Sequence, residues 1–224
     1  YPAVAVKGRG SLAFSAVFIS DDHTGTYVHI FSKLCLGVDD HPAAVTDIKS
    51  LSDLSKLPFV TKQDLRDNYP YGLQAAPASE IVRVHASSGT TGNPTIVGYT
   101  RKDLAVWSEV MARCLTAYGV TRDDTFSVSY GYGLFTGGLG AHYGVENLGA
   151  TVVPTSTGNT EKHIRLIRDL KISGIACTPS YALYLAETLE KMGLTKEDIG
   201  LRIGAFGAEP WTDEMRDQME ARLH

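Results

Sequence analysis

Hydroxyl and glycine residues crowd into one short stretch of the chain, Ser87-Ser88-Gly89-Thr90-Thr91-Gly92-Asn93-Pro94-Thr95, which follows His85-Ala86. Glycine lets backbone N–H groups close around phosphate oxygens, and Ser and Thr hydroxyls add donors without a fixed charge. The chemistry this favours is the holding of a polyphosphate tail, with Ser87, Ser88, Gly89, Thr90, Thr91 and Gly92 as the contact residues. The stretch is not a Walker loop. That loop needs a lysine and an immediately following helix, whereas here Asn93 stands in the loop and Ile96-Val97-Gly98-Tyr99 reads as a strand. The plainer alternative is a hydroxyl-rich hairpin turn with no ligand.

Two further stretches carry candidate chemistry. Tyr130-Gly131-Tyr132-Gly133-Leu134-Phe135 sets three aromatic rings among small residues, ahead of Gly137-Gly138 and Gly140. Aromatic walls beside glycine gaps suit a flat apolar body, so Tyr130, Tyr132 and Phe135 are candidate substrate contacts, with core packing as the alternative for each ring. Gly204-Ala205-Phe206-Gly207-Ala208-Glu209-Pro210 closes a predicted strand. In an open α/β sheet the strand C-termini face the ligand crevice. His85 and His142 lack a visible Asp or Cys companion and read as packing residues rather than bases. Neither they nor the cysteines have metal-site spacing.

The elements that must position these residues follow from periodicity and capping. Apolar positions Ile48, Leu51, Leu54 and Leu57 predict an amphipathic stretch, and Thr61 with Asp64 caps a short helix over Lys62 to Arg66. Ile81 to Val84 and Ile96 to Tyr99 are strands on either side of the hydroxyl-rich loop. Thr100 with Asp103 opens a helix through Leu104, Trp107, Met111, Cys114, Leu115 and Tyr118, which Gly119 stops. Strand and helix then alternate: a strand at Phe126–Tyr130, a helix near His142–Leu148, a strand at Thr151–Val153 and a helix at Glu161–Leu170. A strand at Ile175–Thr178 leads into a helix with Pro179 in its first turn, and a strand at Leu201–Phe206 into a last helix striped by Met215, Met219 and Leu223. The stripe is expected to stay uncovered.

Such alternation predicts an α/β fold, an open, largely parallel sheet with helices on both faces. Residues 1–45 sustain no period and receive no assignment; residues 46–224 form the readable domain. The net charge of -4, with acids and bases interspersed, offers no basic stripe to nucleic acid or anionic lipid. No apolar run approaches the ~20 residues of a membrane span. Three widely separated cysteines, Cys35, Cys114 and Cys177, argue for free thiols in a reducing compartment. Small molecules are the expected partners.

The sequence resembles the adenylate-forming acyl-CoA synthetase superfamily, and within it the phenylacetate-CoA ligases. The likeness rests on the loop Ser87–Thr95 with Val97-Gly98-Tyr99-Thr100, on Leu57-Pro58-Phe59 with Thr61-Lys62 and Asp64-Leu65-Arg66, on Tyr130–Gly138, and on Gly207-Ala208-Glu209-Pro210-Trp211. It implies a partial AMP-binding domain over 46–224 and a cytoplasmic ligase using ATP, Mg2+ and coenzyme A, with homodimerisation by family analogy. The implied reaction activates an aryl acid to an acyl-adenylate and then to its CoA thioester. It further implies that Tyr130, Tyr132 and Phe135 line the acid site, with Thr178-Pro179-Ser180-Tyr181 nearby, and that Gly207, Ala208, Glu209 and Pro210 contact the nucleotide. No side chain is assigned a catalytic role. Asn93 departs from the lysine common at that place and removes a point charge from the phosphates. The Tyr-Gly-x-[ST]-Glu segment, the ribose-binding Asp and the lysine-bearing lid domain of the family are not in this sequence, so little turnover is expected of these 224 residues alone. A ligase for another aryl acid and a non-catalytic nucleotide-binding remnant are the alternative readings.

Overall fold

A computed structural model describes residues 50, 52, 59, 61–74, 76–87 and 93–224. The unassigned segment 1–45, the amphipathic stretch through Ile48 and Leu57, and the loop residues Ser88, Gly89, Thr90, Thr91 and Gly92 lie outside the described residues. The chain divides into two compact units, Tyr1–Pro77 and Ala78–His224. In the first, helix α1 (Lys62–Asp67) starts where the sequence places it. The Thr61 hydroxyl accepts from the Asp64 amide, and the Asp64 carboxylate accepts from the Thr61 amide at 2.6 Å.

In the second unit β1 (Ile81–Ala86) and β2 (Ile96–Thr100) form an antiparallel hairpin, with Ala86 opposite Ile96 and a register shift between Ile81 and Arg83. The chain then runs through α2 (Arg101–Ala117), β3 (Thr125–Val128), α3 (Thr136–Leu148), β4 (Thr151–Val153), α4 (Thr160–Asp169), β5 (Gly174–Cys177), α5 (Pro179–Lys191), β6 (Ile203–Phe206) and α6 (Asp213–Leu223). Strands β3 to β6 make one parallel sheet in the order β4-β3-β5-β6. The chain steps outward from β3 to β4 and then returns to the other side of β3 to lay down β5. The order therefore reverses between β3 and β5, and it is at the C-terminal ends of such a pair that open α/β sheets carry their ligand crevice.

Strand side chains alternate, so each face collects its own core. Phe126 and Val128 of β3, Ala176 of β5 and Ile203 of β6 pack with Leu115 of α2 and Ala141 and Val145 of α3. On the opposite face Ile175 and Cys177 pack with Ile164 and Ile167 of α4, Leu185 and Leu189 of α5, and Met219 and Leu223 of α6. Helices thus cover both faces, as the alternation predicts. The α6 stripe is a correction to the sequence reading: Met219 and Leu223 are buried against this core. Arg222 of α6 also grips Glu190 of α5 through two hydrogen bonds of 2.7 and 2.8 Å.

Helix α3 begins at Thr136, well before the residues that signal it in the sequence. Its glycines lower helix propensity. Tertiary contact outweighs that cost, because a Cβ on Gly140 would lie 2.7 Å from the Trp107 ring and one on Gly144 2.6 Å from Met111. The two helices approach backbone to side chain only because those positions are empty.

At the end of the sheet away from the crevice, Asp124 ties several segments together. Its carboxylate accepts from Ser173 Oγ at 2.6 Å, from the Thr121 amide at 2.7 Å and from Arg202 at 2.7 and 2.8 Å. Burial alone would push this carboxyl up, but those donors outweigh it and hold it well below the usual carboxylate range.

Candidate functional site

The hairpin that carries the hydroxyl-rich loop is clamped at its feet. The Ser87 amide donates to the Thr95 carbonyl at 3.0 Å, and the Thr95 amide donates to Ser87 Oγ at 2.9 Å. The Ser87 hydroxyl thus accepts a bond that closes the foot of the loop. One strand earlier, the Ala86 amide and His85 Nδ1 both reach the Leu134 carbonyl, each at 3.0 Å. The hairpin is therefore fastened directly to the segment that carries the candidate aromatic wall.

That segment leaves β3 after Val128 and enters the crevice. The Ser129 amide donates to the Ala176 carbonyl at 2.8 Å, which extends the β3–β5 pairing by one bond. Tyr130 then crosses between the two strands: its hydroxyl donates to the Cys177 carbonyl at 2.6 Å, and the Gly207 amide donates to the same oxygen at 3.3 Å. Burial pushes the Tyr130 phenol well above its ordinary range. It remains a neutral donor. The Tyr130 and Phe135 rings lie 5.7 Å apart, tilted by 58°, and Phe135 is exposed, so these two form an apolar wall beside open space.

Tyr132, half-buried like Tyr130 and packed against the same core, makes its polar contact elsewhere. Its hydroxyl meets His142 Nδ1 at 3.2 Å, and its ring stands edge-on to the His142 ring. Burial, with Glu146 nearby, pushes its phenol up to about 12. His142 Nε2 in turn lies 3.2 Å from Glu146. The two glycine-spaced tyrosines look alike in sequence and take different hydroxyl partners.

Across the crevice, Gly207, Ala208, Glu209 and Pro210 follow β6. Ala208 has φ +72°, a left-handed conformation that costs a residue with a Cβ about 1–2 kcal/mol. Glu209 Oε1 accepts from the Ser180 amide at 2.6 Å. This completes the first turn of α5: Pro179 has no N–H, Ser180 is taken by Glu209, and the Tyr181 amide donates to Thr178 Oγ1 at 3.2 Å. The α5 N-terminus is thus filled by protein groups, and the carboxylate of Glu209 is held by it. Trp211 stands edge-on to Phe206, with ring centroids 5.7 Å apart.

One polar constellation escaped the sequence reading. His163 Nε2 lies 2.8 Å from Ser127 Oγ and 3.3 Å from Ser129 Oγ, its Nδ1 is 3.0 Å from the Tyr181 hydroxyl, and Thr155 Oγ1 joins both serines at 2.8 and 3.0 Å. Ser127, Ser129 and His163 are buried. Burial lowers the His163 imidazole from its ordinary 6.5 to about 4, so it is neutral at pH 7. The available signal was Ser127 and Ser129 at period two, two hydroxyls on a strand face that helices cover.

The Cys177 thiol is buried and pushed up to about 12 by burial, then by Glu209, so it is no nucleophile; its carbonyl does the work at the crevice. Among the described residues no group of three or more His, Cys, Asp or Glu could hold a metal ion. Among them, too, no helix is long and apolar enough to cross a membrane.

With this geometry in place, comparison with known proteins is informative. The AMP-binding enzyme family matches residues 14–224. The chain is 58% identical over 177 residues to a phenylacetate-coenzyme A ligase of Pseudomonas putida, covering 79% of this chain and 40% of that protein. It is 57% identical over 178 residues to the Escherichia coli (strain K12) phenylacetate-coenzyme A ligase, covering 79% of this chain and 41% of that protein. The chain thus spans about two fifths of the length of these relatives. Among solved structures, 2-hydroxyisobutyryl-CoA ligase in an open conformation, in complex with 2-HIB-AMP and CoA, superimposes with a TM-score of 0.74 at 27% identity. That match covers 87% of this chain and 50% of the other. The parallel sheet, the reversal of strand order and the matched sequence agree: the chain belongs to the AMP-binding enzyme family.

Proposed function

We propose that the protein to which these residues belong activates an aryl acid, phenylacetate first among them, with ATP, and then transfers the acyl group to coenzyme A. The observation that carries this reading is the apolar wall of Tyr130 and Phe135 at the point where strand order reverses, in a chain so similar to phenylacetate-coenzyme A ligases. In the first step a carboxylate oxygen attacks the α-phosphate of ATP, pyrophosphate leaves, and an acyl-adenylate forms. In the second the CoA thiol displaces AMP. No protein nucleophile is required, so the work of these residues is positioning and neutralising charge on phosphate oxygens.

Ser87, Ser88, Gly89, Thr90, Thr91 and Gly92 hold the polyphosphate in this reading. Gly207, Ala208 and Pro210 face the nucleotide through backbone, and Glu209 acts by fixing that loop to α5. Tyr130, Tyr132 and Phe135 line the aryl side of the acid site in this reading. Mg2+ would accompany the triphosphate and help neutralise its charge in this reading. Residues 46–224 are then part of an adenylation domain, and a cytoplasmic homodimer is the assembly that accompanies the reading.

Calorimetric titration of the chain with ATP and with a panel of acids tests the proposal. ATP binding is expected, and phenylacetate should bind about 10-fold more tightly than a straight-chain acid of similar size, the worth of one favourable aromatic contact. Stronger binding of another aryl acid would reassign the substrate. Absence of nucleotide binding would overturn the reading.

A further inference from the structure

We infer that His85 is a positioning residue that couples the phosphate-binding hairpin to the aryl-acid wall, an inference that rests on the function proposed above. The Leu134 carbonyl can only accept, and His85 Nδ1 lies 3.0 Å from it, so Nδ1 carries the ring proton. The Ala86 amide donates to the same oxygen at 3.0 Å. Two consecutive residues of β1 therefore converge on one carbonyl of the loop between β3 and α3.

The other nitrogen of the ring shows what the histidine is for. His85 is 1% exposed, and its Nε2 is buried with no hydrogen-bond partner among the described residues. The ring stands edge-on to Tyr99 and Trp107, at 5.5 and 5.4 Å between centroids, and those two rings stack on each other at 5.2 Å. A phenyl group would fill the same aromatic slot without stranding a polar atom. Packing alone thus favours Phe at position 85. What only the imidazole supplies is the Nδ1–H bond to Leu134.

That bond joins the two halves of the crevice. Ser87 and Thr95 clamp the loop one residue beyond Ala86. Phe135 follows Leu134, its ring lies against Tyr130, and Tyr130 is bonded through the Cys177 carbonyl to the Gly207 loop. A phosphate seated in the hairpin holds β1 in place, and β1 holds the aryl wall through Leu134. Acid carboxylate and α-phosphate then meet in one fixed geometry, and each ligand raises affinity for the other.

The test measures binding of phenylacetate to the whole chain with and without α,β-methylene-ATP, which occupies the site and does not react at the α-phosphate. Wild type is expected to bind the acid about 10-fold more tightly with the analogue present. His85→Phe should keep or raise the thermal midpoint, bind the analogue within about 3-fold of wild type and lose the enhancement. His85→Asn, whose side-chain N–H can take the place of Nδ1–H, should restore most of it. A residue with a merely structural role would lose stability and coupling together. Long-range 15N–1H correlation on wild type supplies a readout free of ligand and variant, and should find the His85 proton on Nδ1. A proton on Nε2, retained enhancement in His85→Phe, or no rescue by His85→Asn overturns the inference. Wild type that binds both ligands without mutual enhancement also overturns it and leaves the functional reading standing. Wild type that binds neither overturns both.

Discussion

The hydroxyl of Tyr130 donates to the carbonyl of Cys177 at 2.6 Å and so bridges the two strands between which the order of the sheet reverses. The Gly207 amide shares that oxygen at 3.3 Å, which brings the loop after β6 to the same point. One phenol therefore bolts together the ends of β3, β5 and β6. Its ring remains free to wall the crevice with Phe135.

These two roles separate on substitution. Tyr130→Phe keeps the wall and removes the bolt, so it should cost about 1 kcal/mol in urea unfolding and change phenylacetate affinity less than 3-fold. Tyr130→Ala removes both and should weaken phenylacetate binding by about 10-fold or more, while ATP binding changes little. Equal loss of affinity in the two variants would show that the hydroxyl, not the ring, meets the acid.

Glu209 and Ser180 invite a second comparison. Glu209→Ala leaves the Ser180 amide without its acceptor at the start of α5 and frees the loop carrying Ala208; a loss of about 1 kcal/mol follows, the usual size of a lost N-terminal cap. Glu209→Gln keeps a carbonyl oxygen at the same reach and should recover more than half of that stability. Nucleotide affinity should track the same order, with Ala weaker than Gln. If Gln and Ala weaken ATP equally, the charge itself faces the nucleotide.

Much of this architecture was legible in the residues. The capping pairs Thr61/Asp64 and Thr100/Asp103 set two helix starts because a hydroxyl and a carboxylate three residues apart satisfy backbone donors wherever they occur. Strand–helix alternation sufficed for the parallel sheet. What stayed hidden depends on distant partners: the Gly-rich start of α3 reads as loop until Trp107 and Met111 are known to fill its gaps. Tyr130 and Tyr132 are indistinguishable by type and spacing, yet one hydroxyl reaches the end of β5 and the other meets His142 of α3. The buried hydroxyl cluster around His163 unites residues 36 positions apart, and no local pattern announces that.

Asp124 and Arg202 hold the base of the sheet. Asp124→Asn keeps the shape and weakens charge-assisted bonds to Arg202, Ser173 and the Thr121 amide, so a loss of about 1–3 kcal/mol is expected. Because the folded carboxyl lies below its unfolded value, its stabilisation is present above about pH 4 and disappears as pH falls further. Urea midpoints of wild type and Asp124→Asn should therefore converge toward acid. A constant gap down to pH 2 would remove the charge from the explanation.

His163 titrates in a higher pH window, since burial disfavours its charged form and its hydrogen-bond partners Ser127, Ser129 and Tyr181 are hydroxyls with no negative charge to offset that cost. The folded ring stays neutral down to about pH 4, whereas an unfolded histidine takes up a proton near 6.5. Between those values the unfolded chain binds the extra proton, so stability falls as pH drops from 6.5 to 4 and levels off below. The full effect is on the order of 3 kcal/mol. His163→Gln cannot titrate in this window; it should start less stable at pH 7.5, having lost part of the network, and then fall less steeply between pH 6.5 and 4 than wild type. Parallel slopes for the two proteins would mean that the imidazole is charged inside the fold, with the hydroxyls of Ser127 and Tyr181 both accepting from it.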